Sequence, residues 1–421
     1  MRCPVSPKIG SPPPKPLATL ARPALDTATL PTHTPFVPAA PRTNSPPLLP
    51  LSDAEPAASL ARAVDSLRAG QLVIFPTDTV YGIAASAASA DAITRLHASR
   101  GALTPGTSPD EARQPSAWHA PSAEQLARVI PLVSPLHKRV VRVLLPGPIT
   151  LLVELAPDQL AALRTQLGVV PGAIDDGHVV VARAPDSTWA RRLAAAADFP
   201  IAAEGVRLSG AASARSAHEA ARALLNAGVD FALALDGGPA SLGKPSTVLR
   251  LTADGAYRLV RPGVYDSAYI ERRLRRTMLF VCTGNTCRSP MAEALAASML
   301  PTGPDQVPTL VRSAGVAAAA GSPATAETVH AVESLGIRHR FTGSRPVTPD
   351  MLRDADAVFA MTRSHLAALR SMAPGEGAKL QLLDPAGRDV PDPIGSGQAA
   401  YTSLAGTLRP MIAARLKELE S

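Results

Sequence analysis

The chain has 421 residues, 46% of them hydrophobic and only 3% aromatic, so it can form two or three domains whose cores are built mainly from Ala, Leu and Val. Its 42 basic and 35 acidic residues give a formal charge of +7, which permits nucleotides, phosphoproteins or RNA as ligands without demonstrating any of them. Three cysteines and no run of about 18 apolar residues exclude a disulfide framework and a transmembrane helix, and favour a cytoplasmic location.

Residues 1–50 hold 14 of the 43 prolines, which predicts a disordered tail, and a first domain is predicted over 51–270. Helix and strand patterns alternate through this domain, which indicates a mixed α/β fold. The predicted helices lie near 53–67, 91–99, 188–197 and 214–226, and the predicted strands at 71–76, 150–155, 179–183, 231–235 and 246–251. Residues 101–122 have no periodicity and are predicted to be a loop or insertion.

A hydroxyl-rich turn follows the first buried strand of this domain, in the sequence Phe75-Pro76-Thr77-Asp78-Thr79-Val80-Tyr81-Gly82-Ile83. Together with Leu145-Pro146-Gly147-Pro148-Ile149-Thr150, Ser246-Thr247-Val248 and Arg261-Pro262-Gly263, it closely resembles the threonylcarbamoyl-AMP synthase (YrdC-like) family, over about 54–266. The resemblance implies a twisted α/β sheet with a basic concave face. It also implies that ATP with Mg, threonine and bicarbonate form an adenylate that later modifies tRNA.

The same resemblance assigns nine residues to nucleotide and threonine binding: Thr77, Thr79, Tyr81, Arg100, Thr150, Arg183, Ser209, Ser246 and Arg261. The match is incomplete, because Ala98 stands where the family carries the lysine of a Lys-x-Arg pair. Residues 205–207 read Gly-Val-Arg where the family has Ser-Ala-Asn, and Arg207 is a candidate to replace part of the lost charge. Two alternatives therefore stay open: an active synthase, or an inactive module that binds nucleotide or RNA.

Strands and helices alternate again over 277–421, which predicts a small doubly wound parallel sheet. The predicted strands are 278–281, 309–313 and 357–361, and the predicted helices are 289–299, 325–335 and 364–372. A loop of sequence Cys282-Thr283-Gly284-Asn285-Thr286-Cys287-Arg288-Ser289-Pro290 joins the first strand to the first helix. Backbone N–H groups of such a loop and the helix N-terminus bind phosphate and favour a thiolate, and an arginine clamps two phosphoryl oxygens. Cys282 is therefore the predicted nucleophile.

Asp392 is the predicted proton donor, in the sequence Asp389-Val390-Pro391-Asp392-Pro393-Ile394-Gly395. This segment and the cysteine loop resemble the low-molecular-weight protein phosphatases. The resemblance implies a two-step reaction through a cysteinyl-phosphate, without metal or cofactor, on phosphorylated protein substrates. It implies that Cys282 attacks phosphorus and that Arg288 holds the oxygens together with the loop from Thr283 to Cys287, which includes Gly284. Ser289 would hydrogen-bond the thiolate and Asn285 would brace the loop.

Two residues bear on the substrate. Tyrosine-directed members of this family usually carry a bulky aliphatic residue where this chain has Thr286, and tend to offer aromatic residues where Ile394 follows Asp392-Pro393. Threonine at the first position resembles the protein-arginine phosphatase branch. The sequence thus favours phosphoarginine over phosphotyrosine, and the absence of cysteines after Cys287 argues against arsenate reduction. Cys287 is either a reversible disulfide partner of Cys282 or a small buried residue.

Overall fold

A computed structural model describes residues 46–51, 56–104, 106, 108–208 and 212–419. Most of the predicted tail, the start of the first predicted helix at 52–55 and the candidate ligand residue Ser209 lie outside the described residues. Among the described residues, no helix combines the length and the hydropathy that crossing a bilayer requires.

Ten strands of the described N-terminal half form one mixed sheet, in the spatial order β1-β8-β2-β3-β7-β4-β6-β5-β9-β10. The strands are β1 (Leu48–Pro50), β2 (Val73–Phe75), β3 (Gly82–Ser86), β4 (Ala117–His119), β5 (Ile149–Glu154), β6 (Val179–Arg183), β7 (Ile201–Gly205), β8 (Leu233–Asp236), β9 (Thr247–Leu251) and β10 (Tyr257–Arg261). The helices are α1 (Pro56–Arg68), α2 (Ala90–Leu103), α3 (Pro109–Ala112), α4 (Ala123–Val129), α5 (Pro135–Leu144), α6 (Pro157–Leu167), α7 (Thr188–Ala196), α8 (Ala217–Asn226) and α9 (Ser267–Leu274).

Both faces of this sheet are covered, which is why the interior strand β2 reads as a continuous apolar run. Ile74 of β2 packs into one hydrophobic core, whereas Val73 and Phe75 pack into another. Successive side chains of a strand point to opposite faces, so a strand covered on both sides needs apolar residues at every position. The apolar run at 71–76 therefore correctly predicted the strand β2.

The structure differs from the sequence prediction at two places in this half. The predicted loop at 101–122 contains α3 and the strand β4, which pairs with β6 and β7. Strand β4 has three residues, too few to produce a periodic pattern. Strand β1 lies inside the range predicted to be a disordered tail and pairs with β8. Its Pro50 is compatible with a strand because β1 is at the edge of the sheet.

Four parallel strands of the C-terminal half form a second sheet, in the order β12-β11-β13-β14. They are β11 (Arg276–Cys282), β12 (Thr309–Gly315), β13 (Ala357–Ala360) and β14 (Leu380–Leu382). The helices are α10 (Arg288–Met299), α11 (Ala326–Glu333), α12 (Pro349–Asp354), α13 (Arg363–Met372) and α14 (Gly397–Glu418). Met278 and Phe280 face one core and Leu279 and Val281 face another, so helices cover both sides of this sheet. The prediction of a small doubly wound parallel sheet is confirmed.

A buried arginine links the two halves. Arg139 of α5 donates hydrogen bonds to the carbonyls of Leu274 and Arg275, at 2.7 and 3.0 Å, and pairs with Asp356 at 2.7 Å. The other carboxylate oxygen of Asp356 accepts a hydrogen bond from the Thr277 N–H at 2.8 Å. The backbone that joins the two sheets is therefore held by side chains from both of them.

Candidate functional site

The cysteine loop lies at the carboxyl end of β11, between β12 and β13, where the strand order of the small sheet reverses. Ligands of open parallel sheets bind in the crevice at such a point. The loop is crowded against β12: a Cβ atom on Gly315 would lie 2.3 Å from the Thr283 carbonyl oxygen. Only glycine at that position permits this approach, so the second strand shapes the loop.

Cys282 is buried, with 3% of its surface exposed, and polar donors converge on its sulfur. The Asn285 N–H donates to the Cys282 Sγ at 3.3 Å, and the Ser289 hydroxyl lies 3.0 Å from the same atom. In the thiolate form the serine donates, since the sulfur then has no proton to give. These contacts stabilise negative charge on sulfur, the form that attacks phosphorus.

Asn285 is the one non-glycine residue of the described chain with a positive φ, at 55°. Asparagine tolerates this conformation better than most residues. Its amide donates to the hydroxyls of Ser289 and Ser313, at 3.0 and 2.8 Å, and its oxygen accepts from the Arg345 N–H at 2.9 Å. Three chain segments thus hold the turn that points the Asn285 N–H at Cys282.

Arg288, at the start of α10, is buried and contacts the segment 389–395 that carries Asp392, here called the acid loop. Its guanidinium donates to Asp392 Oδ2 at 2.5 Å, to the Val390 carbonyl at 3.2 Å and to the Thr283 hydroxyl at 3.4 Å. Asp392 is 44% exposed, so the carboxylate is open to solvent and to a leaving group. The structure therefore brings together the cysteine loop, Arg288 and Asp392. Arg288 and Asp392 are 104 residues apart in the sequence.

A histidine at the start of α13, which the sequence motifs did not single out, completes this network. His365 lies with Nε2 2.9 Å from the Thr283 hydroxyl and Nδ1 2.9 Å from the Thr362 hydroxyl. Burial and the nearby Arg288 charge lower the pKa of His365, so it is neutral at neutral pH. His365 therefore positions Thr283 without adding charge beside Arg288.

Thr286 and Cys287 contact each other and residues further along the chain. The Thr286 hydroxyl lies 3.6 Å from the Cys287 Sγ, and the Thr286 carbonyl accepts from the Thr325 N–H at 3.0 Å. Cys287 is buried against the Tyr401 hydroxyl, at 3.4 Å, and both cysteines are free thiols. Burial and the Cys287 contact raise the pKa of Tyr401 to about 12. Gly284 makes no close contact that would demand a glycine.

A second candidate site lies in the N-terminal half, where a cleft of about 500 Å³ opens on the large sheet. Seven of the nine sequence-predicted ligand residues line it: Thr77, Thr79, Arg100, Thr150, Arg183, Ser246 and Arg261. Tyr81 does not line the cleft, because its side chain is fully buried and its hydroxyl donates to the Gly238 carbonyl at 2.6 Å. Burial raises the pKa of Tyr81 to about 12. The side chain of Tyr81 is thus packed in the interior of the domain, and its predicted role in ligand binding stays a prediction.

Two arginines of this cleft are bonded to carboxylates that sequence reasoning missed. Arg100 donates to Glu204 at 2.6 Å, and Arg183 forms a buried ion pair with Asp78. Burial raises the pKa of Glu204, whereas the Arg100 partner opposes that shift. Asp78 lay inside the quoted turn, but its partner is 105 residues away, so no local pattern could identify the pair.

His119 is a further lining residue that the sequence did not reveal, because it lies in the strand predicted to be a loop. It is 5% exposed, and neither ring nitrogen has a hydrogen-bond partner among the described residues. Burial and the neighbouring Arg183 charge lower its pKa to about 3. His119 is thus a neutral, buried residue in the wall of the cleft. Among the described residues, no cluster of three or more His, Cys, Asp or Glu side chains is placed to hold a metal ion.

Two family models match the chain. The one described as low molecular weight phosphotyrosine protein phosphatase matches residues 277–421. The Sua5, YciO and YrdC model, described as telomere recombination, matches residues 65–263. The chain belongs to both families, one in each half. It is therefore an enzyme with a low molecular weight phosphatase domain, and both resemblances inferred from the sequence are confirmed.

Curated relatives agree with this division. A protein-arginine-phosphatase of Bacillus subtilis is 36% identical over 34% of this chain and 96% of its own length. The low molecular weight protein-tyrosine-phosphatase Etp of Escherichia coli K12 is 32% identical, over 31% of this chain and 86% of its own length. A threonylcarbamoyl-AMP synthase of Bacillus subtilis is 32% identical over 50% of this chain. The chain spans only 55% of the length of that synthase.

Proposed function

We propose that the C-terminal half hydrolyses phosphorylated proteins through a cysteinyl-phosphate, with Cys282 as nucleophile and Asp392 as acid and base. The observation that carries this proposal is the convergence of the Asn285 N–H and the Ser289 hydroxyl on the Cys282 sulfur, with the Arg288–Asp392 pair beside them. A buried thiol that accepts such contacts in a strand–loop–helix turn is suited to phosphoryl transfer.

The reaction has two balanced steps. In the first, the thiolate of Cys282 attacks phosphorus, the bond from phosphorus to the leaving nitrogen or oxygen breaks, and Asp392 gives its proton to that atom. In the second, Asp392 takes a proton from water as the water oxygen attacks phosphorus. The sulfur–phosphorus bond then breaks, which releases inorganic phosphate and restores the thiolate. Arg288 and the loop N–H groups neutralise charge on the transferred oxygens in both steps.

Phosphoarginine is the favoured substrate. Thr286 provides a hydroxyl where tyrosine-directed members carry an aliphatic side chain, and Ile394, 67% exposed, provides no aromatic surface for a phenyl ring. The chain is 36% identical to the Bacillus subtilis arginine phosphatase and 32% identical to the tyrosine phosphatase Etp, which also supports phosphoarginine as the substrate. Phosphotyrosine is the alternative substrate.

Acid quenching of a reaction with phosphorylated peptide, followed by peptide mass spectrometry, tests the intermediate. A phosphate adduct on Cys282 is expected, and it should persist in Cys287→Ser and be missing in Cys282→Ser. Turnover by Cys282→Ser, or an adduct on another residue, would remove Cys282 from this role.

For the N-terminal half we propose synthesis of threonylcarbamoyl-AMP from ATP with Mg, threonine and bicarbonate. The supporting observation is a single cleft that collects hydroxyls, arginines and the neutral His119 around one space. The alternative is an inactive module that binds nucleotide or RNA. An assay of pyrophosphate release by the full-length Cys282→Ser variant separates these two alternatives. Release that needs both threonine and bicarbonate supports the synthase, and ATP binding without release supports the alternative.

A further inference from the structure

The Thr283 hydroxyl lies between Arg288, which can only donate hydrogen bonds, and His365, which can donate or accept. Arg288 Nη2 donates to Thr283 Oγ1 at 3.4 Å, and a guanidinium has no acceptor. His365 Nε2 lies 2.9 Å from the same oxygen. Among the described residues, this nitrogen is the one hydrogen-bond partner of Thr283 Oγ1 that can accept its proton. The Thr283 hydroxyl therefore donates to His365, and Nε2 is the nitrogen of the ring without a proton.

The other side of the His365 ring agrees with this direction. When Nε2 has no proton, the neutral ring carries its proton on Nδ1, which lies 2.9 Å from Thr362 Oγ1. The same threonine oxygen accepts from the His365 N–H at 3.3 Å and lies 2.8 Å from the hydroxyl of Ser364. Ser364 is exposed. Each donor from Arg288 to Thr362 therefore has an acceptor, and the series of hydrogen bonds ends at a hydroxyl in contact with solvent.

These contacts hold the Arg288 guanidinium at two points besides the acid. Nη2 donates to Thr283 as well as to Asp392, and Nη1 donates to the Val390 carbonyl at 3.2 Å. In the proposed mechanism the substrate phosphate replaces Asp392 at the guanidinium, whereas the contacts with Thr283 and Val390 stay. The direction in which the Thr283 hydroxyl points therefore bears on how the arginine meets the phosphoryl oxygens.

The charged groups that act on His365 belong to α10 and to the acid loop. Burial is the largest cause of its lowered pKa, the charge of Arg288 adds to it, and Asp392 and Asp389 oppose it. A second proton on the ring would make Nε2 a donor and turn the Thr283 proton away from the ring. It would also place a second cation beside Arg288. The neutral ring is thus the form that supports this arrangement.

We propose that neutral His365 is a positioning residue of the phosphatase site, which accepts the Thr283 proton and thereby keeps the Thr283 oxygen turned toward Arg288. This role rests on the hydrolysis proposed above. The tautomer that it requires, with the proton on Nδ1, is a property of the chain without substrate. It can therefore be measured whether or not the chain turns a substrate over.

The tautomer is tested by ¹⁵N NMR of the full-length chain labelled on histidine, with the ring signals of His365 identified by their loss in His365→Gln. At pH 7.5, Nδ1 is expected to carry the proton and Nε2 to carry none. His330→Gln is the matched control, because His330 is exposed on α11, and it should leave the His365 signals unchanged. A proton on Nε2 at this pH would overturn the proposal.

The positioning role is tested by the kinetics of two variants on a phosphorylated peptide. His365→Leu removes the acceptor and is expected to lower kcat/KM about tenfold. His365→Gln is expected to stay within about threefold of the unmodified chain, because its side-chain oxygen can accept the Thr283 proton. His330→Leu should have no effect, and denaturant unfolding shows whether each variant is folded. Equal kcat/KM in folded His365→Leu and His330→Leu would overturn the positioning role.

The pH dependence adds a test that does not need His365→Leu to fold. Glutamine carries no charge at any pH, so kcat/KM of the unmodified chain relative to His365→Gln should fall in acid. The fall should have the midpoint at which NMR shows His365 taking up its second proton. A ratio that stays constant through that midpoint would overturn the positioning role.

Failure of the proposed phosphatase activity has a different signature. A chain that shows the expected tautomer of His365 but hydrolyses no phosphorylated peptide would support the hydrogen-bond assignment and contradict the activity instead. The two failures can therefore be told apart.

Discussion

Arg288 and Asp392 form an ion pair of 2.5 Å between the first turn of α10 and the acid loop. In the proposed mechanism, this pair places the acid beside the guanidinium that binds the transferring phosphoryl group. A substrate phosphate that engages Arg288 competes with Asp392 for its donors, which frees the carboxyl to take up and deliver a proton. The proposed mechanism therefore links binding of substrate and release of the acid at one side chain.

Asp392→Asn should lower kcat for a phosphoarginine peptide about a hundredfold or more, because the leaving nitrogen then receives no proton. The decrease in kcat should be smaller for an aryl phosphate, because its leaving group departs more readily without a proton. Steady-state kinetics on both substrates measure the difference. Asp389→Asn is the control, since Asp389 pairs with the exposed Arg363 instead of Arg288. Equal losses on both substrates would contradict the acid role.

Asn285→Ala removes three hydrogen bonds from the loop and places alanine at a positive φ, so both stability and activity should fall. A loss of about 1–3 kcal/mol in unfolding free energy is expected from the unpaired Arg345 N–H, the lost hydrogen bond to Ser313 and the backbone strain. Asn285→Gly keeps the φ but loses the same bonds. Denaturant titration and kcat/KM on both variants separate the two contributions. If Asn285→Ala matched the unmodified chain in both measurements, the loop would not depend on this residue.

Thr286→Ile should shift preference toward aryl phosphates, because it replaces a hydroxyl by the aliphatic surface that tyrosine-directed relatives carry. The quantity to measure is the ratio of kcat/KM for matched phosphoarginine and phosphotyrosine peptides. Thr402→Ile, on the exposed side of α14, makes the same change away from the loop and should leave the ratio unchanged. A constant ratio in Thr286→Ile would show that this position does not select the substrate.

His119 should make the N-terminal half less stable in acid. Its pKa falls from about 6.5 in the unfolded chain to about 3 in the folded one, so only the unfolded state binds a proton between these values. The stabilising contribution is complete above pH 6.5 and is lost as the pH falls toward 3. Between pH 7.5 and 5.5 this amounts to about 1 kcal/mol.

Denaturant unfolding followed by tryptophan fluorescence measures this effect, because both tryptophans, Trp118 and Trp189, lie in the N-terminal half. His119→Phe should reduce the stability lost between pH 7.5 and 5.5, and the exposed His178→Phe should not. Burial also lowers the pKa of His97 to about 4, so His97 adds to the loss of stability in acid equally in the unmodified chain and in both variants. An unchanged pH dependence in His119→Phe would mean that this histidine does not titrate as described.

The C-terminal fold and the parts of its site that are local in sequence could be predicted, and the reason is physical. The loop from Cys282 to Ser289 is one strand–turn–helix unit, so the spacing of cysteine and arginine reports its shape directly. The partners of Asn285 could not be predicted, because Ser313 and Arg345 come from distant segments that meet only in the folded chain. The same holds for His365, which reaches Thr283 across 82 residues.

In the N-terminal half, short sequence motifs predicted residues that line the cleft, but not which of its arginines are paired with carboxylates. Thr77, Thr150 and Ser246 were identified from short motifs and do line one space. Whether an arginine is free or paired depends on residues about a hundred positions away, as for Arg100 and Glu204. Short strands such as β4 escaped detection because three residues give no period.

The most direct test of the central claim is a side-by-side assay of the full chain on matched phosphoarginine and phosphotyrosine peptides, with Cys282→Ser as the control. A higher kcat/KM for phosphoarginine is expected, together with no turnover of either peptide by Cys282→Ser. A preference for phosphotyrosine would contradict the substrate assignment, and hydrolysis by Cys282→Ser would contradict the mechanism.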